Sequence, residues 1–284
     1  MVVTTPDNIE KNSHVLEELV EPVNRHLHIP LAARLVAPLV HTPVTPNQVT
    51  GISVLFGLGA AWSFSLGTPA GLMGGGLMLE ISLILDCVDG QLARAKNMSS
   101  ELGRIIDGVG GYIANLAVVA GIALGYPQTT GLLIALTVLT ILRAIAFDFC
   151  KQAMTTLIQD GRDWAEEERL KTEQMFEQSP GVLLALYKKY LGFQQSLFKQ
   201  RGTSGPMTDD PWTTDRCKQF YRTNRNVLSL WKWNGPDLVF FALALGGLTG
   251  TLPALLLPLT ALVGLQLVSI LWIHKTRIRY ETSS

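Results

Sequence analysis

The stretch PAGLMGGGLMLEISLILDCVDGQLARAKNMSSELGRIIDGVGGYIANLAVVAGIALG, residues 69–125, decides the fold. Two apolar runs flank a polar turn, and each is near the roughly 20 residues that an α-helix needs to cross a hydrocarbon core of about 30 Å. The turn carries Arg94, Lys96, Glu101 and Arg104. Three carboxylates, Asp86, Asp89 and Asp107, lie within or at the edge of the runs. An ionisable group is costly there and marks function more often than structure.

Working outward, six stretches are apolar enough to span a bilayer, near 47–67, 70–92, 104–125, 129–150, 235–250 and 252–274. The fifth is short unless Trp231 and Trp233 mark its interfacial start, where aromatic rings favour the headgroup level. With 48% hydrophobic and 16% charged residues, the composition excludes an ordinary soluble domain. The expected fold is all-α: a polytopic membrane protein of six transmembrane helices, with an N-terminal interfacial helix and a cytoplasmic helical insertion between the fourth and fifth. The segments are 1–46 (cytoplasmic and interfacial), 47–150 (helices one to four), 151–234 (insertion) and 235–284 (helices five and six with a cytoplasmic tail).

Basic residues set the expected orientation. The loops Gly67-Thr68-Pro69, Tyr126-Pro127-Gln128 and Leu248 to Leu252 contain no Lys or Arg, and all 23 in the chain lie on the other side or in helix ends near it. The positive-inside rule then puts both termini, the turn around Arg94 and the insertion in the cytoplasm, with the protein in the cell (inner) membrane. The first residues, MVVTTPDNIEKNSH, lack a basic start and an apolar run, so no cleavable signal peptide is expected. Cys87, Cys150 and Cys217 are widely spaced, which argues against disulfides or a zinc site and for free thiols. No nucleic-acid partner is expected.

Residues 26–47 are apolar but interrupted by Pro30, Pro38, Pro43 and Pro46, which suits an amphipathic segment in the interface. His26, His28 and His41 in this part lack ligand spacing and read as surface residues. In the insertion, residues 161–178 and 183–200 read as one or two helices and 201–212 as a loop. This insertion is either a solvated hairpin or a lid over the site. The run Gly71-x-x-Gly74-Gly75-Gly76 lies in an apolar span without a preceding strand, so it is a helix-packing feature and not a nucleotide loop. Gly108, Gly110 and Gly111 extend the expectation of close backbones to the site.

Three clustered carboxylates need a cation. On a helix, Asp86, Asp89 and Ala93 share a face, and Gly90 leaves room for a close approach to the backbone. Asp107 stands on the next helix, which runs the opposite way, so both sets meet at one side of the membrane. Hard divalent ions such as Mg²⁺ or Mn²⁺ prefer carboxylate and phosphate oxygens, and with Arg94 and Arg104 they would hold a pyrophosphate. The bland alternative is a trio of helix-end carboxylates bonded to backbone and arginines.

The pattern Asp86-x-x-Asp89-Gly90-x-x-Ala93-Arg94, eight residues, then Gly103-x-x-x-Asp107, resembles the signature of the CDP-alcohol phosphotransferases. Pro46-Asn47-x-x-Thr50 resembles a second recurring element of that family. The resemblance covers roughly residues 30–150 and leaves the insertion unexplained. It implies transfer of a substituted phosphate from a CDP-linked donor to an alcohol, with release of CMP, in lipid or lipid-linked metabolite synthesis. It implies that Asp86, Asp89 and Asp107 are catalytic and ligate Mg²⁺ or Mn²⁺, as one or two ions. Gly90, Ala93 and Gly103 would then accommodate the nucleotide, Arg94 would hold phosphate, and Asn47 and Thr50 would line the nucleotide site. Membrane lipid as partner and a homodimer are implied as well.

The signature ends with a fourth aspartate, taken as the base for the acceptor hydroxyl, and here that position is Gly111. Asn115, one turn further, cannot serve as a base, and Tyr112 points elsewhere. Three accounts stay open. Another carboxylate such as Glu101, Asp148 or Glu80, or one from the insertion, replaces it. Alternatively the acceptor is an anion, or water on a metal ion is acidic enough. Or the protein binds its nucleotide without turnover. For Asp148 the bland reading is a partner for Arg143, which is itself a candidate for the acceptor pocket.

Overall fold

Helices in the first half of the chain start at hydroxyl side chains. Thr45 accepts from the amide of Gln48 while the Gln48 side chain accepts from the amide of Thr45, a reciprocal cap that satisfies two otherwise orphaned donors. Pro46 takes the first helical position, where its missing N–H costs nothing. Thr68 and Ser100 cap the next two helices by accepting from the amides of Gly71 and Gly103. The computed structural model describes residues 19–178, 181–198 and 212–278. A π-helical turn, Asn24–His28, runs into α1 (Ile29–Leu39), followed by α2 (Pro46–Ser65), α3 (Pro69–Ala95), α4 (Glu101–Gly125) and α5 (Thr130–Asp160). Then come α6 (Trp164–Gln178), α7 (Val182–Phe198), α8 (Thr214–Leu230), α9 (Asp237–Leu248) and α10 (Leu252–Arg277). The described residues contain no strand, so the all-α expectation holds.

Four segments, 69–95, 107–125, 127–160 and 252–277, are long and apolar enough to cross a membrane, as an integral membrane protein requires. At 1.5 Å per residue, the 20 residues of α2 also have the length but are less apolar, and the 12 of α9 fall short. The fourth apolar stretch does not end at 150. It continues as helix to Asp160, where Gly161 takes the left-handed φ of 67° that ends it. Arg143 consequently sits in the interior of α5 and not near its end.

The chain forms two compact units. One comprises residues 21–140 and 236–264. In it α2 packs on both α3 and α4, while α1 and α9 pack on α3. Its core gathers Phe64, Leu72, Leu79, Val118, Ile122, Leu243 and Leu256, all nearly inaccessible. Small residues allow the close approach: a Cβ on Gly76 would lie 2.5 Å from the Ala244 carbonyl oxygen, so the glycine-rich run is a packing surface. Ser53 and Ser82 each donate to the other's backbone carbonyl, at 2.9 and 2.8 Å, and lock α2 to α3. On α1, Ala32 and Val36 pack against Val49, Val88 and Leu92, while Ile29 and Leu35 stay exposed. His26 and His41 are exposed as expected, but His28 is buried, with 1% of its surface accessible, because both ring nitrogens find partners inside the unit.

The other unit comprises residues 1–20, 141–235 and 265–284. Two helices, α6 and α7, occupy the part of the insertion expected to be helical. They are tied by Lys188 to Glu173 at 3.4 Å and by the Tyr187 hydroxyl donating to Glu168 at 2.9 Å. Of the expected loop, residues 201–211 lie outside the described residues. Fully buried Arg143 donates to Asn234 Oδ1 at 3.2 Å and to the Trp233 carbonyl at 2.6 Å, pinning the turn that precedes α9. Trp231 in that turn donates from its indole nitrogen to His274 Nδ1 at 3.2 Å.

Candidate functional site

α3 ends where Asn97 adopts a left-handed φ of 54°, and Met98 donates back to the Ala93 carbonyl at 2.8 Å. Ser100 then starts α4 in the reverse direction. This reversal sets Asp107 opposite Asp86 and Asp89, with one oxygen of each within 4.8 Å of the others. Asp86 is exposed, Asp89 buried and Asp107 half-buried. Thr50 on α2 donates to Asp89 Oδ2 at 2.6 Å, fixing that carboxylate in an acceptor geometry. Carboxylates this close repel one another unless a cation or a proton lies among them.

These donors fit a hard cation. Bonds of about 2.0–2.1 Å in an octahedral Mg²⁺ shell put adjacent oxygens about 3 Å apart and opposite ones about 4 Å apart, within the spread of the triad. A cation held among the three would offset their mutual repulsion and leave all three acids ionised.

Beside the triad opens a cleft of about 410 Å³, lined by Asn47, Thr50, Asp89, Gly90, Ala93, Arg94, Gly103 and Asp107 among others. The N-termini of α2 and α4 both contribute to it through Pro46, Asn47, Ser100 and Gly103. Helix N-termini carry partial positive charge and free amides, so this wall attracts anions. Arg94, exposed on the last turn of α3, adds a full positive charge. A Cβ on Gly90 would meet only Arg94 Nη1, at 3.6 Å, so the space over that glycine belongs to the cleft. All six residues expected at the nucleotide thus surround one cavity, while Asp86 stands outside its lining. The side chains of Glu101 and Arg104 lie outside the described residues.

The glycines after Asp107 depart from expectation. Only Gly110 is tightly packed, 2.8 Å from Val54 for a Cβ placed there, whereas a Cβ on Gly108 or Gly111 would meet nothing within 4 Å. Of the carboxylates weighed as substitutes at Gly111, Glu80 is bonded to His28 at 3.1 Å, and Asp148 is exposed with Lys151 as a charged neighbour.

A carboxylate that the sequence reading passed over, Asp237, opens α9, which packs on α3. Asn24 donates to Asp237 Oδ2, and the Asp237 amide donates to Glu21 at 3.1 Å. The signal was present, because Asp237 is an acid inside the apolar stretch 235–250, and the rule that singles out Asp86 applies to it equally.

A family model described as CDP-alcohol phosphatidyltransferase matches residues 43–191, just over half of the chain and well into the insertion. The chain is 34% identical over 127 residues to the bifunctional IPC transferase and DIPP synthase of Thermococcus kodakarensis, covering 40% of this chain and 28% of the relative. It is 30% identical over 115 residues to the Aquifex aeolicus protein of the same name, covering 38% and 26%. With the archaetidylinositol phosphate synthase of Pyrococcus horikoshii it shares 34% over 92 residues, covering 32% and 47%. It therefore spans less than a third of the bifunctional relatives and about half of the synthase.

Proposed function

The chain belongs to the CDP-alcohol phosphatidyltransferase family, and on that premise we propose that it transfers a substituted phosphate from a CDP-linked donor to a hydroxyl-bearing acceptor, releasing CMP, in lipid synthesis. The observation that carries this reading is the meeting of the Asp86, Asp89 and Asp107 oxygens within 4.8 Å beside an anion-attracting cleft. The aspartates would hold Mg²⁺ or Mn²⁺, which when bound offsets charge on the donor phosphates. Thr50 orients Asp89, Arg94 and the N-termini of α2 and α4 bind the pyrophosphate, and Gly90, Ala93 and Gly103 leave room for the nucleotide. Asn47 lines the same cleft. The absence of Lys and Arg from three loops supports six spans with the site and both termini facing the cytoplasm of the cell membrane. A homodimer is proposed from the family resemblance.

Purified full-length protein with Mn²⁺, a panel of CDP-alcohols including CDP-diacylglycerol, and an extract of cellular acceptors tests this. CMP formation that depends on both metal and acceptor, with the adduct identified by mass spectrometry, is expected. Metal-dependent CDP binding without CMP release from any donor would overturn the transferase reading.

A further inference from the structure

We infer that Lys96 is a positioning residue for the nucleotide, because it fixes the wall of the cleft that the start of α2 provides. The inference rests on the transferase reading above, through the CDP-linked donor that the cleft would take. Lys96 follows the last turn of α3, and its ammonium group donates to the Thr42 carbonyl and to the Val44 carbonyl, at 2.7 Å each. These acceptors lie 54 and 52 residues earlier in the chain, in the link between α1 and α2. A lysine at a helix end often does no more than complement the last carbonyls of its own helix. Here it reaches across to another segment, and a charged donor holds a carbonyl more firmly than a neutral one.

The segment it holds runs directly into the cleft. Thr45, the residue after Val44, forms the reciprocal cap with Gln48, and Pro46, Asn47 and Thr50 from the start of the same helix line the cavity. Pro43 stands between the two acceptors and Pro46 just beyond them. Both restrict φ, so a position imposed at Thr42 and Val44 carries on to Asn47. The margin there is small. A Cβ on Gly103 of α4 would lie 3.4 Å from Asn47 Oδ1, so the α2 and α4 walls already stand within contact distance. Further along, α2 needs no such brace, because Thr50 bonds to Asp89 and Ser53 and Ser82 tie the helix to α3. Lys96 is not among the residues lining the cleft, so it acts on where the wall stands and not by touching the ligand.

The test uses the full-length protein and three measurements: binding of Mn²⁺ alone, binding of CDP with Mn²⁺, and KM and kcat for the best donor of the CDP-alcohol panel with the acceptor extract. Lys96→Met keeps the aliphatic stem and removes the donors. Its CDP affinity is expected to fall on the order of tenfold, with KM rising to match, because binding must then order the wall. Its kcat at saturating donor and its affinity for Mn²⁺ alone are expected to stay within about twofold of the wild type. A mere loss of folded protein would instead lower kcat and leave KM unchanged. Lys96→Arg can still donate to both carbonyls and is expected to keep most of the CDP affinity. Pro43→Gly leaves Lys96 in place and frees the backbone between its acceptors, so it is expected to weaken CDP binding in the same direction by less. Wild-type CDP affinity and KM in Lys96→Met, an equal loss of affinity for Mn²⁺ alone, or no recovery in Lys96→Arg would overturn the inference and leave the transferase reading standing. If Lys96→Met does not fold, wild-type CDP affinity in Pro43→Gly overturns it. No CMP from the wild type with any donor would remove the transferase reading and leave the CDP affinities to judge Lys96, whereas a wild type that binds no CDP would remove both.

Discussion

Thr50 on α2 gives its hydroxyl proton to Asp89 on α3 across 2.6 Å, and both side chains are buried. This bond joins two helices at a charged ligand, where a hydrogen bond is worth more than between neutral groups. Valine has nearly the same shape as threonine but cannot donate. Thr50→Val should therefore keep the fold and weaken Mn²⁺ binding roughly 10- to 100-fold, as loss of a supporting contact to a metal ligand does. Isothermal titration with Mn²⁺ reads this directly, and an unchanged affinity would mean that Asp89 is held by other means.

Gly90 presents a conflict between stability and binding. Alanine at this helical position gains roughly 0.8–1 kcal/mol of helix propensity, and its methyl would touch only Arg94 at 3.6 Å. The same methyl intrudes on the cleft. Gly90→Ala should hold or raise the melting temperature while weakening CDP binding by about tenfold or more, the scale of an overpacked contact. A lower melting temperature would show that protein, not ligand, fills the space.

Gly111→Asp asks whether the site can take a fourth carboxylate. A Cβ there meets nothing within 4 Å, so no clash opposes it. The added charge stands one turn beyond Asp107 and repels it without metal. Because a ligand that binds only the folded state stabilises it, Mn²⁺ should raise the melting temperature of Gly111→Asp more than that of the wild type. An equal shift in both would place the new carboxylate out of reach of the ion.

Arg143 was a candidate for the acceptor pocket, and its contacts make it a clamp on the turn at Trp233 and Asn234. Arg143→Met removes the donor and leaves buried acceptors unsatisfied, at a cost of about 3 kcal/mol. The melting temperature should fall by several degrees while Mn²⁺ and CDP affinities remain at the wild-type level. Selective loss of acceptor binding with normal melting would return Arg143 to the acceptor pocket.

The triad was legible because its information is local. Asp86 and Asp89 are three residues apart on one helix, Asp107 follows a single turn, and each stands out against apolar neighbours. The caps at Thr45, Thr68 and Ser100 were readable in principle for the same reason. What escaped depends on contacts between residues far apart in the chain. His28 looks like a surface histidine until Asn24 and Glu80, 52 residues later, close around it. Asp237 meets Asn24 only through a contact between residues 213 positions apart in the chain, which no periodicity announces. The end of α5 was misplaced because the apolar run stops near Cys150 while the helix needs a breaker, and none comes before Gly161.

The central claim is that Asp86, Asp89 and Asp107 hold the metal on which CMP release depends. Asp89→Asn and Asp107→Asn keep size and shape while removing one ligand charge each. Mn²⁺-dependent CMP release from the CDP-donor panel, measured on these variants beside the wild type, should fall on the order of 10²-fold or more and should not recover at saturating Mn²⁺. Release at the wild-type rate by either variant would contradict the account.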